Sequence, residues 1–199
     1  MIKIENLHKS FGSNDVLRGI NLDFNTSGIT ALLGPNGSGK TTLIKAILNN
    51  KSIVKTGSWE LPFSKHIGYL DQHYSNLDPL DSVVDHIHKV RPDWERGQVR
   101  KHLNDFLFRA NEEVFNQAKN LSGGEKARLS LALIAAQVPK LLILDEITNN
   151  LDLETKEHVV QILREYHGAI IIISHDKEFL DDIGIDQRYK IHNNSLTNQ

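Results

Sequence analysis

Gly34-Pro35-Asn36-Gly37-Ser38-Gly39-Lys40-Thr41 fits GxxxxGK[ST], and it falls between an apolar run, Ile29 to Leu33, and a helix-forming stretch that extends through Leu48. Glycines let successive backbone N–H groups turn inward, and a helix opening at Gly39 adds the positive end of its dipole, so the segment is suited to hold phosphate. Lys40 is placed to reach the β- and γ-phosphates of a nucleotide, Thr41 to bind magnesium through its hydroxyl, and Thr42 to hold the α-phosphate. The alternative for such a loop, a plain glycine turn that caps a helix, is disfavoured by the strand before it and the helix after it.

The segments around this loop read as strands at Ile2 to Leu7, Val16 to Phe24 and Ile29 to Leu33, with Gly12 to Asp15 and Thr26 to Gly28 as turns. Two more strands are expected near Gly57 to Glu60 and His66 to Leu70. Asp78-Pro79 has the form of a helix start, with Leu80, Val83, Val84 and Ile87 as its apolar stripe. A second helix follows from Trp94 and places Val99, Leu103, Phe106 and Leu107 on one face, and the polar stretch Asn111 to Asn120 leads out. From Leu121 the order is helix, strand (Leu141 to Leu144), helix (Asp152 to Tyr166), strand (Ala169 to Ile173), helix. Continuous apolar strands alternating with helices predict an α/β fold with a mainly parallel sheet covered on both faces. The polar tail, Asn193 to Gln199, is expected to fray.

Leu141 to Leu144 ends in two acids, Asp145 and Glu146. Ligands of parallel sheets sit beyond the carboxyl ends of the strands, so this pair is expected to face the same crevice as the phosphate loop. Alternation along a strand would send the two carboxylates to opposite faces and give them different tasks. Asp145 is suited to support magnesium, and Glu146 to orient or deprotonate an attacking water. Taken alone, two acids at a strand end would read as solvated or capping groups. His86 and His88 lie two apart on an expected helix and so point apart, which argues against a metal pair.

Leu121-Ser122-Gly123-Gly124-Glu125 supplies a second N–H-rich turn before a helix, and one nucleotide does not need two such cradles from the same chain. This segment resembles the signature of the ATP-binding cassette ATPases, and with it nearly the whole chain shows that family's motifs in order. The resemblance implies a P-loop fold in which an antiparallel β subdomain and a small helical subdomain flank the parallel core. On this chain that divides one domain, 1–199, into a β subdomain and phosphate-loop core (1–77), a helical subdomain (78–120), and the signature helix with the rest of the core (121–199). It further implies ATP and Mg2+ as cofactors. Phe11 matches the aromatic that stacks on adenine, Gln72 the glutamine at the helical subdomain's hinge that also meets the metal, Asp152 the D-loop aspartate, and His175 the switch histidine. The family pairs its cassettes around two nucleotides, so Ser122, Gly123 and Gly124 would act on the nucleotide of a second cassette, whether in a homodimer or a tandem half.

Asn149-Asn150-Leu151-Asp152 and Ser174-His175-Asp176-Lys177-Glu178-Phe179-Leu180 resemble the corresponding stretches of the ABC-F group, which lacks membrane domains and mostly acts on ribosomes. Ile147 stands where that pattern usually has proline, Asn150 where it has histidine, and the long inter-cassette linker is not present. The resemblance therefore implies an ATPase linked to the ribosome. The competing expectations are the energy subunit of a membrane transporter and a nucleotide-gated binding module with little turnover. Composition narrows the field. Among 199 residues there is no cysteine, which excludes thiolate metal sites and thiol catalysis and fits a cytoplasmic protein. A net charge of -2 argues against holding nucleic acid by bulk charge, although Asp85 to Arg109 carries six Lys/Arg against four acids. No apolar run approaches the ~20 residues a membrane span needs, so direct membrane insertion is not expected.

Overall fold

Ala169–Ile173 is buried at every position because both of its faces are covered. This strand is the centre of the computed structural model, which describes residues 2–11, 14–24, 26–50, 57–192 and 195–198. In chain order the first elements are β1 (Ile2–Phe11), β2 (Asn14–Phe24), β3 (Gly28–Leu33), α1 (Lys40–Ile47), β4 (Ser58–Glu60) and β5 (Ile67–Asp71). Helices α2 (Val83–Val90), α3 (Arg96–Asp105), α4 (Asn111–Phe115) and α5 (Gly123–Gln137) follow. The remainder is β6 (Leu141–Asp145), α6 (Leu153–Arg164), β7 (Ala169–Ile173), α7 (Lys177–Ile183), β8 (Gln187–His192) and β9 (Ser195–Asn198).

Six strands form the main sheet in the order β5-β6-β7-β3-β8-β9, and every pair but the last is parallel. A three-stranded antiparallel sheet, β2-β1-β4, forms a separate hydrogen-bonded ladder. The expected fold class, a mainly parallel P-loop sheet with an antiparallel companion and helices, is the one found. The period of two along β6 and β7 divides the interior. Leu142, Leu144, Ile170 and Ile172 enter one apolar layer with Val83, Leu103, Leu129, Val159 and Phe179, so the helices after β5 share one core with the sheet. Leu141, Ile143, Ile171 and Ile173 enter the other layer, with α1 and with Ile4, Leu17 and Leu22 of the antiparallel sheet. Full burial of each such side chain is worth about 1.5–3 kcal/mol, more than the ~1 kcal/mol of a helix cap, so packing decides where elements begin when the two compete.

That competition corrects four expectations. Asp78-Pro79 does not start a helix: Asp78 Oδ1 accepts from the Leu80 N–H at 3.0 Å, and the helix begins at Val83 behind a Ser82–Asp85 capping box. Val83 and Ile87 are fully buried one turn apart, whereas Leu80 is 66% exposed. Leu107 does not continue the apolar face of α3; it takes φ 64°, which turns the chain so that Phe108 becomes the buried residue. The polar stretch from Asn111 contains α4, which buries Val114. The tail does not fray over Ser195–Asn198, because β9 pairs antiparallel with β8.

Candidate functional site

The carboxyl ends of β3, β5, β6 and β7 meet at one crevice, because parallel strands deliver all their exit loops to the same side. A cleft of about 760 Å³ opens there, and its lining includes Asn36 to Thr42, Gln72, Asp145 and Glu146. The loop from β3 needs its glycines. Gly34 has φ 152°, and a Cβ on it would lie 2.6 Å from the Ile191 carbonyl oxygen; Gly39 has φ 103°, and a Cβ there would meet Leu17 at 2.8 Å. The Ser38 N–H donates to the Pro35 carbonyl at 3.1 Å, which closes the turn and leaves the first N–H groups of α1 without intrahelical partners.

Lys40 is 8% exposed, and its ammonium folds back onto the carbonyl oxygens of Gly34 and, at 3.1 Å, Pro35. Burial pulls the Lys40 pKa below its ordinary value, and the nearby Glu146 and Asp145 carboxylates oppose that shift. Burial also pushes the Asp145 carboxyl up, partly offset by the Tyr69 hydroxyl, which donates to Asp145 Oδ2 at 3.4 Å. Burial thus disfavours the charged form of both groups, and among the described residues only neutral partners hydrogen-bond them. Ser38 Oγ is buried without a hydrogen-bond partner among the described residues. A phosphate group bound with a divalent cation fits this set, since it would satisfy the orphaned hydroxyl, the folded ammonium and the acids together.

Glu146 departs from the expected alternation. It lies just past β6 with φ 54°, and its N–H donates to the Ile173 carbonyl oxygen at 2.9 Å. This left-handed turn, which costs an ordinary residue about 1 kcal/mol, brings its carboxylate into the same cleft as Asp145 rather than to the opposite face. His175 does not line that cleft. It lines a neighbouring cavity with Gly34 and Pro35, and its Nε2 lies 3.2 Å from Glu146 Oε1. The two exit loops are cross-linked by the hydroxyls of Thr148 and Ser174, 3.1 Å apart, and Ser174 Oγ accepts from the Asp176 N–H at 3.0 Å.

Ser122, Gly123 and Gly124 are absent from the cleft lining and open α5 elsewhere, where Ser122 and Glu125 form a capping box. Gly124 approaches Asp152, to which a Cβ on it would lie at 3.2 Å. Asp152 caps α6, accepting from the Thr155 N–H at 2.8 Å, and that bond holds its carboxyl below the usual range. Phe11 ends β1 opposite Asn14, and its side chain lies outside the described residues, as do Gly12 and Ser13 of the expected turn. Sequence reasoning missed Tyr69, Asp71, His73 and Lys45, which also line the cleft. The first two had a signal: they alternate on β5 toward a known motif residue, Gln72.

A family model described as ABC transporter matches residues 17–149. The Haemophilus influenzae protein named "Probable ATP-binding protein YheS" is 36% identical over 203 residues, covering 98% of this chain and 31% of its own length. "ATP-binding protein Uup" of the same organism is 42% identical over 156 residues, covering 76% of this chain and 24% of its own. The Escherichia coli protein of that name is 38% identical, over the same shares of both chains, 76% and 24%. The chain thus spans about a third or less of the length of these curated relatives.

Proposed function

The chain belongs to the ATP-binding cassette family, with the likeness to its ABC-F group carried by the relatives above, and on that premise we propose that it hydrolyses ATP with Mg2+ as one of a pair of cassettes. The observation that carries the reading is the gathering of Lys40, Thr41, Gln72, Asp145 and Glu146 around one cleft. Lys40 exchanges its loop carbonyls for the β- and γ-phosphate oxygens, and the amides of Asn36 to Thr42 hold the chain of phosphates. Thr41, Gln72 and Asp145 would hold the cation, which when bound neutralises charge on the phosphates. Glu146 orients water for in-line attack and accepts its proton, while His175, from the neighbouring cavity, steadies the Glu146 carboxylate. Adenine stacking is assigned to Phe11 by the resemblance alone.

Ser122 to Gly124 open α5 away from this chain's own cleft, with Asp152 beside Gly124, which supports their action on the nucleotide of a second cassette. ATP then closes the pair and hydrolysis reopens it, so the output is mechanical. The partner we propose is the ribosome in the cytoplasm, supported by the ABC-F-like stretches around Asn149 and His175. Among the described residues no helix is long and apolar enough to cross a membrane.

Two measurements test this. Mg-ATP should be hydrolysed by the wild-type chain, and Glu146→Gln should bind ATP while releasing phosphate about 10²–10⁴-fold more slowly; unchanged turnover would remove Glu146 from the mechanism. Tagged Glu146→Gln protein with Mg-ATP should sediment with ribosomes at moderate salt. An ATP-dependent shift into membranes would instead make it a transporter's energy subunit, and wholly soluble protein would leave a cassette without either partner.

A further inference from the structure

Gln72 is exposed, and its side chain meets its neighbour His73, whose Nε2 lies 3.1 Å from Gln72 Nε2, so where the Gln72 amide stands depends on where the 72–76 backbone carries both residues. Here the backbone is fixed on both sides. At the sheet side, Asp71 ends β5 directly opposite Asp145 of β6. Asp71 Oδ1 accepts from the His73 N–H at 2.9 Å and the Ser75 N–H at 3.1 Å, and Oδ2 accepts from the Ser75 hydroxyl. The Tyr74 N–H donates to the Asp71 carbonyl at 3.1 Å, and Tyr74 itself is buried with φ 54°. At the helix side, Ser130 is fully buried within α5 and donates to Asn76 Oδ1 at 3.0 Å. The five residues 72–76 are thereby held between the strand that borders Asp145 and the helix that begins with Ser122.

Asp71 lines the cleft beside Asp145 and Glu146, so a third cation-facing acid is the first role to consider. Its hydrogen bonds speak against that role, since three of the roughly four lone-pair directions of the carboxylate are taken by its own loop. We propose that Asp71 is a positioning residue for Gln72: its carboxylate ties down the 72–76 loop and so sets where the Gln72 amide stands relative to the cation and phosphates. Two of the three bonds are backbone amides held by one side-chain oxygen, Oδ1, so the clip depends on an oxygen acceptor at this position. The inference rests on the reading of Gln72 given above.

The test combines hydrogen exchange on the nucleotide-free chain with Mg2+ dependence of ATP turnover. Asp71→Ala should speed exchange at the His73 and Ser75 amides and raise the Mg2+ concentration for half-maximal turnover about tenfold, with a smaller effect at saturating Mg2+. Asp71→Asn keeps an oxygen acceptor for the two amides and should restore the Mg2+ requirement to within about threefold of wild type. Adding Asp71→Ala to Gln72→Ala should change nothing beyond Gln72→Ala alone, because the clip then positions nothing. Should Asp71→Ala fail to fold, Ser75→Ala removes one bond and should give a smaller shift in the same direction. Additive effects in the double variant, an Asp71→Asn as impaired as Asp71→Ala, or unchanged exchange would overturn the proposal and leave the Gln72 reading standing. A Gln72→Ala chain with wild-type Mg2+ dependence would overturn both.

Discussion

The imidazole Nε2 of His175 lies 3.2 Å from Oε1 of Glu146, although the two residues belong to loops that leave different strands. The contact exists because β6 and β7 are parallel neighbours and because Glu146 takes a left-handed turn toward Ile173. His175→Ala should therefore slow phosphate release by roughly 10- to 100-fold without weakening ATP binding. Combined with Glu146→Gln it should add little further loss, since each variant disables the same pair. Multiplying losses in single-turnover assays would show that the two act independently.

Lys40 hydrogen-bonds its own loop carbonyls, which its proposed use requires it to exchange for phosphate oxygens. The cost of burying the Lys40 ammonium is offset by its loop carbonyls and by the nearby Glu146 and Asp145 carboxylates, so Lys40→Met should alter the unfolding free energy of the nucleotide-free chain by no more than about 1 kcal/mol. It should abolish stabilisation by ATP, which at a hundredfold excess over Kd amounts to about 2.7 kcal/mol in the wild type. Denaturant titrations with and without nucleotide measure both quantities, and retained stabilisation in the variant would contradict the assignment.

Asp152 caps α6 through the Thr155 N–H, and its carboxyl is held below the usual range by that bond. Asp152→Ala should cost about 1 kcal/mol near neutrality. Because the folded pKa is depressed, the ionic part of this stabilisation is present above the unfolded carboxylate pKa and fades as pH falls through the folded value. The gap between wild type and variant should accordingly narrow in acid. Asp152→Asn, which caps without charge, should lose only the pH-dependent part, a small one on so exposed a side chain.

Val138 follows α5 with φ 50° and is 70% exposed, an unfavourable conformation for a β-branched residue with little packing in return. Val138→Gly should raise the unfolding free energy by about 0.5–1 kcal/mol. A loss of stability in thermal or urea melts would mean that the valine side chain is held by contacts worth more than the backbone strain.

Much of this molecule was legible in its sequence wherever neighbours in the chain decide the outcome. The glycines of the phosphate loop, the continuous apolar runs of β6 and β7, and the Ser122-Gly123-Gly124 turn before α5 are all local, and each produced the element it announced. Ala169–Ile173 was read to its exact bounds because five apolar residues in a row have no other stable use in a sheet covered on both sides. What the chain could not announce depends on partners far along it. Asp78-Pro79 is a sound helix start that loses to the burial of Val83 and Ile87 against α5, and the polar tail becomes β9 only because β8 offers it a free edge. Glu146 belongs to the same class: a strand's alternation would have turned it away, and it enters the cleft because a carbonyl of β7 captures its N–H. Tertiary structure decided these points because a helix cap is worth about 1 kcal/mol, while a buried aliphatic side chain is worth up to three times as much and can be supplied from anywhere in the chain.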